Sequence, residues 1–199
     1  METEYQKFLK FFSRTDRERL DGLDESYFRH MTDDERGMAF EFLLDIVKKG
    51  GSEESVHGIF LVNPQRAKAS VGPLLKSGSL RPAAQLAAAW NLYKSEHSEE
   101  IFKVFLSSMD SADASIRAKA ARYVPAAMRD DLISRLQQII RIETDELAFL
   151  HAVEKLLKCY SVSRLTVGKE KYSYFYRGLQ GDDLHVKERI FKQLEKSRK

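Results

Sequence analysis

Nearly every stretch of this chain places apolar residues three and four positions apart, and runs that alternate apolar with polar residues one by one are almost absent. A period near 3.6 puts an apolar stripe on one side of a helix, whereas a half-buried strand needs a period of 2, so the pattern selects an all-α fold. The chain has 199 residues, with 12 Phe and 8 Tyr against only 10 Gly and 4 Pro, enough apolar material to bury a sizeable core. One all-helical domain over residues 1–199 is expected, with residues 1–60 as acidic amino-terminal helices and 61–199 as helix pairs.

Local chemistry marks the helix starts and stops. Phe8, Leu9, Phe11 and Phe12 load a first helix, and Thr15 with Glu18 has capping-box spacing for a second. Thr32 with Glu35 repeats that signal ahead of Met38, Ala39, Phe42, Leu43, Ile46 and Val47, and Gly50-Gly51 supplies a stop. Ser52, Pro64 and Pro82 open three further helices, the prolines in first turns where a missing N–H costs nothing. Helices are then expected at about 99–109, 113–124, 129–141, 144–160, 169–179 and 183–197, giving about 10–12 in all. Residues 161–168 show neither period and read as a loop with a short extended piece.

A weak internal repeat underlies this series. Asp113, Ile116, Arg117, Ala120 and Ala121 align with Asp183, Val186, Lys187, Ile190 and Phe191 at an offset of 70 residues. Asp145–Leu156 fits between them at an offset of 32 from the first, with Phe149 in place of the base, and Ser79–Ala88 precedes by 36. The unit is therefore about 35 residues. With an acid, a β-branched residue, a base and small apolar residues in this order, the chain resembles HEAT-like repeat proteins. That resemblance covers about two thirds of the chain and implies an α-solenoid of antiparallel helix pairs, a fold that usually presents a long surface to another macromolecule.

The sequence offers little to a catalytic reading. Cys159 is the only cysteine, so disulfide frameworks and multi-cysteine zinc sites are excluded, and its place on an apolar helix suggests a buried thiol. His97-Ser98-Glu99 copies half of a deaminase signature but lacks the downstream cysteine pair, and Ser98 reads better as a helix cap. The remaining histidines, His30, His57, His151 and His185, show no metal-binding spacing, and no glycine-rich phosphate loop is present. The carboxylate pairs Asp33-Asp34, Asp130-Asp131 and Asp182-Asp183 fall at helix starts, where negative charge complements the dipole. The expectation is a protein that is not an enzyme, with no cofactor and no metal.

Charge is distributed unevenly: nine bases face fourteen acids over residues 1–60, and ten bases face five acids over 161–199. The acidic third, especially Asp21, Asp24, Glu25, Asp33 and Asp34, suggests a surface for a basic protein partner. Small HEAT-like chains are similar to some bacterial immunity proteins, which implies a cytoplasmic protein that binds and neutralises a toxin; the thiol-poor composition suits a reducing compartment. The alternative is nucleic-acid binding through Lys169, Lys171, Tyr174 and Arg177, where bases interleave with aromatics, as in HEAT-like alkylpurine DNA glycosylases. A net charge of +3 and a single tryptophan, Trp90, disfavour it. No apolar run approaches the roughly 20 residues of a membrane span, and the acidic start does not resemble a secretory signal.

Overall fold

A computed structural model describes residues 2–13 and 22–197, and among them it contains helices and no strand. The Thr15–Glu18 capping box and Asp21 lie outside the described residues. The chain divides into two compact units, residues 1–102 and 103–199.

The first unit holds α1 (Glu4–Ser13), a 3-10 turn (Glu25–Tyr27), α2 (Asp33–Lys48), α3 (Glu53–Val62), α4 (Pro64–Lys76) and α5 (Pro82–Glu96). Its local logic follows the sequence closely. Thr32 and Glu35 close a reciprocal capping box at the start of α2, Ser52 caps α3 and Asn63 caps α4. Gly50 and Gly51 take φ of 103° and 68°, the left-handed backbone that lets α2 stop where its apolar face ends. Helix α2 packs on α1, α3 and α4, while α5 packs on α3 and α4. Between them lies a core that includes Phe8, Phe40, Leu43, Ile59 and Leu86. At the amino-terminal end Phe8 meets the rings of Phe12, Phe28 and Phe42 at centroid distances of 5.4–5.7 Å. Glu35 extends the cap by accepting the Tyr5 N–H at 3.3 Å, which ties α1 to the start of α2.

Helix α6 (Glu99–Ser108) carries the division between the units. The second unit continues with α7 (Ala114–Tyr123), α8 (Asp130–Ile142), α9 (Glu146–Cys159), α10 (Arg164–Val167), α11 (Lys169–Gln180) and α12 (Leu184–Lys196). Helices α7, α9 and α11 pack in succession, α8 packs on α9 and α12, and α11 packs on α12. The buried residues of this unit include Leu136, Ile140, Leu156, Leu179 and Phe191.

The expected loop with an extended piece at 161–168 is corrected by α10. Ser163 and Thr166 form a reciprocal cap in which each side chain accepts the other's backbone N–H, at 3.2 and 2.8 Å. The Thr166 hydroxyl also donates to the Ser161 carbonyl at 2.6 Å. Four residues are too few to display a helical period, so side-chain caps rather than an apolar stripe make this turn.

The in-register acids of the repeat have one common role. Asp113, Asp145 and Asp183 are the N-caps of α7, α9 and α12, each accepting a backbone N–H at 2.8 Å. At the weaker copy around residue 79 the cap position of α5 is Arg81, which makes no side-chain cap bond. The bases in the next positions also share a role. Arg117 donates to the carbonyls of Ser111 and Ala112, and buried Lys187 donates to the Ile140 carbonyl at 2.8 Å. Phe149, which replaces the base in the middle copy, lies 4.9 Å beneath the Lys187 ammonium.

Ala120 and Ala121 are fully buried on α7, where that helix meets α9. Extra methylenes have no room there, so Ala120→Leu is expected to destabilise the protein by roughly 1–3 kcal/mol in urea unfolding. An unchanged midpoint would contradict the close approach of these helices.

Candidate protein-interaction surfaces

Of the sequence-selected acids, Asp24 caps the 3-10 turn and accepts the Ser26 N–H at 2.7 Å, with exposed Glu25 beside it. The Ser26 side chain first, and then its N–H, hold the Asp24 carboxyl below its ordinary range. Asp33 and Asp34 occupy the exposed first turn of α2. The four residues thus form two pairs at two helix starts, and all four face solvent. Helix α2 continues the acidic surface. Asp34, Met38, Glu41 and Asp45 recur at four- and three-residue spacing along one exposed stripe, with Met38 47% exposed in its middle. Within the stripe Glu41 pairs with Arg66 and Asp45 with Lys49, both at 2.6 Å.

The basic and aromatic residues lie on α11. Lys169, Lys171, Tyr174 and Arg177 are all exposed, while Phe175 and Leu179 turn into the core. Lys169, Tyr174 and Arg177 border one cleft of about 670 Å³. Lys171 and Tyr174 border another, of about 580 Å³, whose wall includes Val162, Val167 and Phe175. Tyr174 therefore stands between two depressions. Tyr172 and Tyr176 stack on each other at 5.6 Å with an 18° interplanar angle, so they offer less free ring surface than the sequence suggests. Leu165 on α10, 98% exposed, and Met38 are surface features that the sequence reasoning did not select. Leu165 sits in a segment without period, and Met38 falls among the periodic apolar residues of α2 yet is exposed.

Several polar groups that looked available are occupied by structure. Arg117 grips Glu143 through two hydrogen bonds of 2.6 and 2.8 Å, and the Glu143 side chain is only 5% exposed. The guanidinium, outweighing the cost of burial, holds the Glu143 carboxyl down at a pKa of about 2. The Lys155 ammonium donates to the Arg122 and Val124 carbonyls at the end of α7, and burial brings its pKa down to about 8. Cys159, one turn further on, is buried, and that burial pushes its thiol pKa up, opposite to the activation a nucleophile needs. His57 hydrogen-bonds Asn91 at 2.9 Å, and His151 lies 3.1 Å from the Ala118 carbonyl. Among the described residues no group of three or more His, Cys, Asp and Glu gathers as a metal site would.

Fold and surface together define an all-α protein with separate acidic and basic exposed faces. No helix among the described residues is long and apolar enough to cross a membrane. No family model, curated protein or solved structure matches the chain.

Proposed function

We propose that this chain is a non-catalytic protein-binding module, built as an α-solenoid of antiparallel HEAT-like helix pairs, whose acidic amino-terminal surface receives a basic protein partner. The observation that carries the reading is the exposed α2 stripe, in which Met38 stands among Asp34, Glu41 and Asp45. An exposed apolar side chain flanked by Asp34 and by the Glu41–Arg66 and Asp45–Lys49 pairs joins the two elements of a protein interface, an apolar anchor and a charged rim. The solenoid reading is supported by the common capping roles of Asp113, Asp145 and Asp183 and by the succession of α7, α9 and α11. Within this class the particular role we propose is that of a cytoplasmic immunity protein, which binds and neutralises a basic toxin.

The test begins with a pull-down from the native host and identification of the captured protein. Changing Asp24, Glu25, Asp33 and Asp34 together to lysine should then slow association roughly tenfold or more at low salt, with the difference shrinking as ionic strength rises. The circular dichroism spectrum should stay helical, with the unfolding midpoint lowered somewhat by the lost Asp24 cap and the reversed first-turn charges of α2. An association rate indifferent to both the reversals and salt would defeat the proposal.

A further inference from the structure

The face formed by α10 and α11 combines uncompensated positive charge with exposed apolar groups. Arg164, Lys169, Lys171 and Arg177 are all exposed, and among the described residues none has an ion-pair partner. Residues 161–181 contain just these four bases and one acid, Glu170. Elsewhere in this unit Arg117 pairs with Glu143, Arg129 with Asp131, Arg135 with Asp110 and Arg141 with Glu188. Four bases against one acid within 21 residues give this segment a net positive charge.

In its midst stand Leu165, 98% exposed, and Tyr174, 46% exposed. Leu165 is held outward by structure, because the Ser163–Thr166 cap and the Thr166–Ser161 bond fix the short helix that carries it. A leucine held fully in water on a capped turn, beside a cleft walled by Val162, Val167 and Phe175, forms an apolar patch rimmed by charge, which marks a contact surface.

We propose that this face is a second recognition surface, which takes an acidic protein segment carrying an apolar anchor side chain. The anchor enters the cleft beside Tyr174 and covers Leu165, and the carboxylates of the segment meet Lys169, Lys171 and Arg177. Charge complementarity selects an anionic occupant, and the aromatic geometry selects protein over nucleic acid. Stacking successive bases requires several free ring faces. Here Tyr172 and Tyr176 each give one ring face to their mutual stack, the Arg164 guanidinium lies 5.6 Å over Tyr172, and Phe175 is buried, which leaves Tyr174 as the most exposed ring on α11. A nucleic acid would also leave Leu165 without an apolar partner. The surface is opposite in sign to the acidic stripe of α2, so this inference stands or falls separately from the proposed basic partner.

The test uses the full chain and a phage-displayed library of random dodecapeptides, with oligo-dT as the nucleic-acid probe. Selected peptides should be rich in Asp and Glu together with Leu, Phe or Trp. They should lose about tenfold or more in affinity for Leu165→Ser and, separately, for the Lys171→Glu/Arg177→Glu double variant. Circular dichroism should report each variant folded, as expected for exposed positions. A set of peptides that is not acidic, or acidic peptides indifferent to both variants, would overturn the proposal. So would binding of oligo-dT that depends on Arg177 and ignores Leu165, which would assign the face to single-stranded nucleic acid.

Discussion

Replacing Phe8 with alanine is expected to cost about 3–5 kcal/mol of stability, the largest effect of any single change considered for this chain. Phe8 is fully buried, and its ring contacts Phe12, Phe28 and Phe42, which come from α1, the segment after the 3-10 turn and α2. Removing the ring therefore takes one wall from three elements at once. The rings around it are large and mutually wedged, which limits how far they can close the gap. Beyond this packing, α1 is tied to α2 by the Tyr5 N–H on Glu35, a partly exposed bond worth little alone. Native-state hydrogen exchange should accordingly show α1 amides exchanging much faster in Phe8→Ala, with α4 and α5 affected mainly through global unfolding. A loss below about 1 kcal/mol in urea unfolding would mean that α1 does not depend on this cluster.

Local chemistry was the part of this fold most legible in the sequence. Thr32 with Glu35 and Ser52 act within three residues of themselves and cap helices where the sequence indicates, and the recurring acids Asp113, Asp145 and Asp183 prove to be caps of the same local kind. The carboxylate pairs fall at helix starts for the same reason. Bonds made over longer separations were hidden. Arg117 and Glu143 lie 26 residues apart, and Lys187 reaches the Ile140 carbonyl across 47, so the repeat revealed that a base recurs without revealing what it holds. Helix α10 escaped because four residues display no period and its cap uses Thr166 where the familiar box has an acid or amide.

The candidate surfaces were legible in charge and only partly in exposure. Acidic residues near helix starts were read as facing solvent, and Asp24, Glu25, Asp33 and Asp34 do so. On α11 Tyr172, Phe175, Tyr176 and Leu179 recur at helical spacing, and of these Phe175 and Leu179 are buried. The stacking of Tyr172 on Tyr176 and the outward projection of Leu165 depend on how neighbouring elements meet. Helical periodicity assigns a side to each residue but says nothing of whether a neighbour covers that side.

The second large effect concerns acid. In the folded chain the Glu143 carboxyl is held at a pKa of about 2, against 4.5 ordinarily, first by the two hydrogen bonds from Arg117 and also by the N–H groups of Thr144 and Asp145, each at 3.0 Å. A carboxyl whose folded pKa is depressed stabilises the fold fully above its unfolded pKa. That contribution is lost as pH falls from about 4.5 to about 2. The difference corresponds to about 2–3 kcal/mol, allowing for the one-fifth exposure of the Arg117 side chain. Glu143→Gln should therefore be less stable than the parent by about that amount at pH 7, and the gap should close on acidification toward pH 2. Arg117→Ala should be at least as damaging at pH 7, since it strands a buried carboxylate and also frees the Ser111 and Ala112 carbonyls. Urea unfolding of the three proteins between pH 2 and pH 7 decides the matter. Parallel stability curves for parent and Glu143→Gln would show that the pair does not carry the acid sensitivity assigned to it, whereas convergence at low pH places that sensitivity on Glu143.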